Sequence, residues 1–301
     1  MKKLLIGIDD TDNLESPGTG AVAEGLKQLI AQKGWGRCGY VTRHQLYLHP
    51  DIAYTSHNSS MIFAAEVEDD CLERLRQELG DYLLNESAEG SDPGLCIAEV
   101  DKILDRRALI EFGYRAKCQV MTKEQAYALA AALNIYLVEK GGSGIGVIGA
   151  LAGVGLRLDG NDGEVKGGLK YAQDQVVTVA ELLQQKPVSA VLTADSLMPV
   201  PKTDRVQNIW KFKPVLHQGE AVLLVVPTEK DGLWKTMAKQ EMRQFGEDRA
   251  SIAPCENFCP DVSEEQVYAE DKCCFNCAYR RWTAEAFTCE YKGKKGEEPN
   301  V

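Results

Sequence analysis

Three aspartates, Asp9, Asp10 and Asp12, directly follow a short apolar run at the N-terminus. Residues 3–8 read Lys-Leu-Leu-Ile-Gly-Ile, which is typical of a buried strand, so the carboxylates come where that strand ends. Ligands bind preferentially at the carboxyl ends of strands in open α/β sheets. Clustered carboxylates repel one another unless a cation lies among them, and Mg²⁺ prefers oxygen ligands. The cluster therefore predicts a catalytic Mg²⁺ site, and the alternative is an acidic turn that caps a strand.

A glycine-containing segment, Pro17-Gly18-Thr19-Gly20, lies just beyond the aspartates. Its backbone amides, and the N-terminus of the helix predicted after it, are suited to hold phosphate oxygens. Carboxylates for a metal beside glycines for phosphate favour a nucleoside triphosphate site over an acidic turn. The predicted cofactor-binding residues of this region are Thr11, Gly18, Thr19 and Gly20.

A second glycine-rich segment runs from Gly141 to Gly149 and contains a GxGxxG pattern. The pattern alone is weak evidence for dinucleotide binding, because here it follows a predicted helix and not a strand. One interpretation is a tight turn between two helices. The other is a loop whose amides approach nucleotide phosphate, with Ser143, Gly144, Gly146 and Gly149 as binding residues.

A run of small polar residues, Thr55-Ser56-His57-Asn58-Ser59-Ser60, precedes a strongly apolar strand candidate. A solvated loop explains such a run, but loops on rigid scaffolds often carry binding residues. His57 is a candidate catalytic acid or base, or a hydrogen-bond donor.

Six of the ten cysteines lie between Cys255 and Cys289. In a chain without an export signal, such clustering indicates metal binding and not a disulfide framework. Zn²⁺ and an iron–sulfur cluster both fit the CxxC half-site, and metal-free thiols are the third possibility. The candidate ligands are Cys255, Cys259, Cys274, Cys277 and Cys289.

Strand and helix patterns alternate along the chain, which predicts an α/β fold. Strands are predicted at 3–8, 38–48, 60–68 and 95–100, with helices after the first aspartates and at 71–84. A further helix is predicted over 123–139, capped by Thr122. Beyond residue 186 short strands are predicted at 188–193, 206–212 and 220–227, and a charged helix near 229–245. The predicted domains are 1–185, 186–250 and the Cys-rich module 251–301.

Composition and charge narrow the class of protein. The 301 residues are 44% hydrophobic and 26% charged, as in ordinary globular proteins. A formal net charge of −11 argues against broad, nonspecific nucleic-acid binding, and suits a cationic or metal-bound substrate. Apolar runs are far shorter than the roughly 20 residues of a membrane helix, and Asp9 and Asp10 interrupt any signal peptide. A cytoplasmic protein without membrane contact is predicted.

Residues 4–170 resemble the isoleucine tRNA 2-agmatinylcytidine synthetase (TiaS) family. The matching motifs are Gly7-Ile8-Asp9-Asp10-Thr11-Asp12, the loop around His57-Asn58, Asp92-Pro93-Gly94-Leu95 and Gly144-Ile145-Gly146-Val147-Ile148-Gly149-Ala150-Leu151-Ala152. The resemblance implies a kinase-like domain that binds ATP and Mg²⁺, with a ferredoxin-like domain beside it. It also implies that the three aspartates lie at the metal and triphosphate, and that residues 143–149 form another wall of the nucleotide pocket.

The chain departs from the family in two places. TiaS has a Ser and a Cys-Thr-Thr element after its aspartates, where this chain has Asn13-Leu14-Glu15-Ser16-Pro17-Gly18-Thr19-Gly20. TiaS also continues into an OB domain and a zinc ribbon that help hold tRNA, whereas the C-terminal half here diverges.

The function predicted from these motifs is an ATP- and Mg²⁺-dependent enzyme. It would transfer a phosphoryl or nucleotidyl group to activate a tRNA base or a small, cationic acceptor. The alternatives are a non-enzymatic nucleic-acid-binding protein with a Zn²⁺ or iron–sulfur module, and an electron-transfer protein that uses such a cluster.

Overall fold

The computed structural model describes residues 1–13, 16–49, 51–52 and 58–236, and the backbone of two short strands at 280–282 and 287–289. The chain forms two compact units, the first being Met1–Asp159 and the second beginning at Gly160. The boundary predicted after residue 185 therefore falls inside the second unit.

The first unit is built on one antiparallel sheet with the strand order β5-β4-β1-β3-β2. Its strands are β1 (Lys2–Asp9), β2 (Gly36–Gln45), β3 (Ser59–Val67), β4 (Gly94–Glu99) and β5 (Tyr136–Glu139). Helix α1 (Thr19–Gln32) joins β1 to β2, and α2 (Leu72–Glu86) joins β3 to β4. The first four strands and these two helices give the βαββαβ order of a ferredoxin-like fold. The predicted mixed α/β class is confirmed, and the aspartate segment belongs to the ferredoxin-like sheet itself.

Helices cover both faces of this sheet. Leu4, Ile6 and Ile8 of β1 pack with α1 and α2 in one core. Leu5 points to the opposite core, formed with α3 (Arg106–Ala116), α4 (Lys123–Ala132) and α5 (Gly146–Asp159). Successive side chains of a strand point to opposite faces, so Asp9 shares the α5 side with Leu5.

Helix α5 lies unusually close to β1, because glycines line the contact. A methyl group at Gly7 would come within 2.7 Å of the Ala150 carbonyl oxygen of α5. A methyl group at Gly153 would overlap the Ser60 hydroxyl of β3. The close approach brings the first turn of α5 directly over the carboxyl end of β1.

The helix predicted over 123–139 is wrong in its second half. Thr122 caps α4 as predicted, but α4 ends at Ala132 and Tyr136–Glu139 forms β5. Asn134 adopts a left-handed φ of 60°, which stops the helix, and β5 then pairs with β4. The glycine segment consequently follows a strand, contrary to the prediction, while the helix predicted after it is present as α5. Helix α3, capped by Asp105, is an element that the sequence pattern does not predict.

The second unit is a small sheet with the order β6-β10-β11-β12-β9-β7, in which β8 also pairs with β11. Its elements are β6 (Glu164–Val165), β7 (Val176–Thr178), α6 (Val179–Leu182), β8 (Ala190–Thr193), β9 (Arg205–Gln207), β10 (Val215–His217), β11 (Glu220–Pro227) and β12 (Leu233–Thr236). Residues 233–236 pair with β11, so the helix predicted near 229–245 is wrong there. The remainder of that prediction lies outside the described residues.

Two further strands, β13 (Arg280–Trp282) and β14 (Phe287–Cys289), pair antiparallel within the Cys-rich region. No helix among the described residues is long and apolar enough to cross a membrane.

Candidate active site

A pocket opens in the first unit at the edge of the sheet where β1 ends and β3 and β4 begin. Antiparallel pairing sets Asp9 of β1 opposite Gly94 of β4, and Gly94 opposite Glu139 of β5. The empty volume of the pocket is about 700 Å³, which includes solvent space at its mouth.

Asp9 lies at the bottom of this pocket, beneath α5. Its side chain is buried, and its Oδ1 accepts a hydrogen bond from the Asp10 backbone N–H at 2.9 Å. A methyl group at Gly149 would overlap Asp9 Oδ2, so α5 covers the carboxyl group only because residue 149 is glycine. Burial, together with the negative charge of Asp10, raises the pKa of Asp9 to about 8.

Asp10 turns the chain sharply out of β1. Its φ of 53° is left-handed, a conformation in which aspartate and asparagine are enriched among non-glycine residues. Burial, followed by the charge of Asp92, raises the pKa of Asp10 to about 6, and the Asp92 backbone N–H partly opposes that rise. Strained backbone of this kind often occurs at functional sites.

Asp12 and Thr19 form the next part of the pocket wall. The Thr19 hydroxyl donates to Asp12 Oδ1 at 2.9 Å. Thr19 is the first residue of α1, and the preceding residue, Gly18, provides no side-chain cap. The first turn of a helix carries amide groups without intrahelical partners, so this wall combines a carboxylate with hydrogen-bond donors suited to an anion.

Apolar side chains also line the pocket: Leu46, Ile52, Ala116, Val120, Met121, Ile145 and Ile148. They come from the segment after β2, the end of α3 and the connection to α4, and the start of α5 and the residue before it. A pocket lined by both carboxylates and apolar side chains fits a ligand with a charged part and an apolar part.

The glycine segment is only partly exposed to the pocket. Ile145, Gly146 and Gly149 line it, whereas Ser143 and Gly144 do not. The Ser143 N–H donates to Asp92 Oδ1, and the Gly146 N–H donates to the Asp92 carbonyl oxygen at 3.0 Å. Two amides predicted to face phosphate are thus already bonded within the protein.

The other predicted site residues occupy different positions. Thr11 is buried, and its hydroxyl oxygen has no hydrogen-bond partner among the described residues. Gly18 and Gly20 flank Thr19 without lining the pocket. His57 lies outside the described residues. The same holds for Cys255, Cys259, Cys274 and Cys277 and for the side chain of Cys289, whose backbone ends β14.

A divalent cation fits the oxygen donors of the pocket. Among the described residues, no three His, Cys, Asp or Glu side chains are arranged to hold a metal ion on their own. Mg²⁺, however, is usually bound by one or two carboxylates together with substrate phosphates and water. Asp10 and Asp12 are the carboxylates at the pocket wall that suit this role, and the Thr19 hydroxyl adds a neutral oxygen.

Several residues around the pocket were not predicted as site residues. Asp51 and Gln119 line it, and Asp92 contacts both the aspartate segment and the glycine segment. Asp92 stands before Pro93 and Gly94, a pattern that is typical of an ordinary turn. Asp92-Pro93-Gly94-Leu95 is among the motifs of the family resemblance, but only the pairing of β4 with β1 shows that this segment reaches the site.

The chain is similar to known proteins over about half of its length. No protein-family model matches the chain. Over 162 residues it is 30% identical to an uncharacterised protein of Methanocaldococcus jannaschii, an alignment that spans 52% of this chain and 50% of that protein. The chain thus spans about half the length of this relative.

Solved structures of TiaS are similar to the N-terminal region. Apo TiaS, a tRNA agmatidine synthetase, is 22% identical with a TM-score of 0.44, over 51% of this chain and 35% of TiaS. The complex of TiaS with tRNA and ATP is 24% identical with a TM-score of 0.44, over 52% and 36%. A tRNA fluorescent labeling enzyme is 25% identical with a TM-score of 0.43, over 51% and 36%.

Proposed function

We propose that the first unit binds a nucleoside triphosphate with a divalent cation, and transfers a phosphoryl or nucleotidyl group from it. The observation that carries this proposal is the convergence of Asp9, Asp10, Asp12 and Thr19 on one pocket, beside the first turns of α1 and α5. In such transfers the protein mainly positions the reactants and neutralises charge.

The charge of the pocket makes the proposed binding dependent on a metal ion. Four aspartates line it, Asp51 in addition to the three already described, and the described lining residues include neither lysine nor arginine. A triphosphate alone would be repelled by these carboxylates. A cation such as Mg²⁺, held by Asp10 and Asp12 and by the phosphates, removes that repulsion.

The apolar part of the pocket lining supports a place for the nucleobase. Ile52, Val120 and Ile148 of α5 belong to this lining. A base packed on these side chains would share the pocket with a triphosphate at Thr19 and the aspartates. ATP is the proposed nucleotide, on the basis of the motif resemblance to TiaS.

The proposed acceptor is a tRNA base, with a small cationic molecule as the second candidate. TiaS has been solved with tRNA, with ATP or AMPCPP, and with agmatine, and the same classes of ligand are proposed here. The net charge of −11 requires that any contact with RNA be local.

A thermal-shift screen of nucleotides, with and without Mg²⁺, tests the nucleotide proposal. ATP with Mg²⁺ is expected to raise the melting temperature of wild type and of the control Asp69→Asn, an exposed carboxylate away from the pocket. Asp10→Ala should abolish the shift. The absence of any nucleotide shift, combined with salt-dependent RNA binding, would favour the non-enzymatic nucleic-acid-binding protein.

A second assay identifies the transferred group. ATP labelled at the α or the γ phosphate is incubated with tRNA and with candidate amines. Label that enters the acceptor from the α position indicates nucleotidyl transfer, and label from the γ position indicates phosphoryl transfer.

A further inference from the structure

Asp92 occupies the junction between the aspartate segment and the glycine segment. Its backbone N–H faces the Asp10 carboxylate. Its Oδ1 accepts from the Ser143 N–H, and its carbonyl oxygen accepts from the Gly146 N–H at 3.0 Å. Three different polar groups of a single residue therefore contact three positions around the pocket.

The surroundings of Asp92 leave it little freedom. The following residue is Pro93, which restricts the backbone of the residue before it. A methyl group at Gly142 would overlap Asp92 Oδ1, so the carboxylate fits against the glycine segment only because residue 142 lacks a side chain. Gly142 itself has a φ of 53°, which favours glycine.

The glycine segment has a second, separate anchor. Lys123 Nζ donates both to the Ser143 carbonyl oxygen and to Glu139 Oε2. The two backbone polar groups of Ser143, its N–H and its carbonyl oxygen, are thus bonded to two different residues, Asp92 and Lys123. Neither Lys123 nor Asp92 lines the pocket itself, but the Asp92 backbone contacts Asp10 and Gly146, which do.

We propose that the Asp92 side chain is a positioning group, which fixes the glycine segment that leads into α5 before any nucleotide binds, while the Asp92 backbone contacts Asp10 and Gly146. This inference rests on the proposed function, because it assigns a role in that same pocket. A site whose groups are already in place loses less conformational entropy when its ligand binds. The contribution of Asp92 comes from the oxygen that Ser143 contacts, and not from negative charge as such.

Two substitutions separate geometry from charge. Asp92→Asn keeps an oxygen at the Oδ1 position and removes the charge, whereas Asp92→Glu keeps the charge and moves the oxygens by one methylene. Asp92→Ala removes both. Glu99→Gln at the far end of β4 is the matched control, because Glu99 pairs with Lys2 and Lys102 outside the pocket.

The first readout is amide hydrogen exchange of Ser143 in the ligand-free protein, followed by NMR. Exchange should be slow in wild type, Asp92→Asn and Glu99→Gln, and faster in Asp92→Glu and Asp92→Ala. The second readout is the Kd of Mg·ATP. It should rise about tenfold in Asp92→Glu and Asp92→Ala, the effect of losing one hydrogen bond, and stay within about threefold of wild type in Asp92→Asn.

The outcomes are distinguishable. Unchanged Ser143 exchange in Asp92→Glu, or equal impairment of Asp92→Asn and Asp92→Glu, overturns the positioning role. If Asp92→Ala does not fold, the contrast between the asparagine and glutamate variants decides the matter. If wild type binds no nucleotide, the proposed function fails, while the exchange experiment still decides whether Asp92 holds the glycine segment.

Discussion

Replacing Asp9 by asparagine is expected to stabilise the ligand-free protein, increasingly so as the pH rises. Asparagine keeps an oxygen to accept the Asp10 N–H, and it removes the buried group that must ionise. Burial raises the pKa of Asp9 to about 8, from an ordinary value of 3.8. The folded protein therefore binds a proton that the unfolded chain releases between these two values.

The sign and size of the effect follow from this difference. Because the folded state holds the extra proton, the free energy of unfolding falls as the pH rises from about 4 to about 8. At about 1.4 kcal/mol per pKa unit, the upper bound of the loss is about 6 kcal/mol. Water reaches the carboxyl group through the pocket and reduces the penalty, so we expect about 2–4 kcal/mol.

Native-state hydrogen exchange of the β1 amides measures this free energy for the first unit specifically. Wild type, Asp9→Asn and the exposed control Asp69→Asn are compared between pH 5 and pH 8 in the presence of a chelator. The advantage of Asp9→Asn over wild type should grow with pH, while Asp69→Asn follows wild type. A constant difference between Asp9→Asn and wild type across this range would refute the argument that burial of Asp9 costs stability.

Three further predictions concern single side chains. Gly149→Ala should destabilise the first unit and abolish Mg·ATP binding in a calorimetric titration, because the methyl group of the new alanine overlaps Asp9 Oδ2. If that overlap did not matter, alanine would instead stabilise the helix by about 1 kcal/mol relative to glycine. Thr19→Val should weaken Mg·ATP binding about tenfold by removing the hydroxyl that contacts Asp12, and Thr19→Ser should restore it, as measured by Kd. Cys274→Ser with Cys277→Ser should lower the zinc or iron content of the purified protein in elemental analysis; a colourless, iron-free sample of the wild type would exclude the iron–sulfur cluster.

The sequence was most informative where local pattern decides structure. The apolar run that contains Leu4, Ile6 and Ile8 predicted β1. The helix prediction failed after Ala132 because strand pairing with β4 outweighed the helical preference of the surrounding residues.

Contacts between distant segments were not predictable in this way. Gly149 belongs to a glycine motif in the sequence, whereas in the structure it is the residue that lets α5 cover Asp9. Asp92 enters the site through the register of β1 with β4, and the internal bonding of Ser143 depends on that placement. The residue types of the site were visible in the sequence, but their spatial relations depend on sheet order and register.

The most direct test of the proposed site is a calorimetric titration of ATP into this 301-residue protein, with Mg²⁺ and with a chelator. Binding is expected to require Mg²⁺, to be lost in Asp10→Ala and to persist in Asp69→Asn. Equal binding of ATP with and without divalent cations, or undiminished binding by Asp10→Ala, would contradict the proposed site.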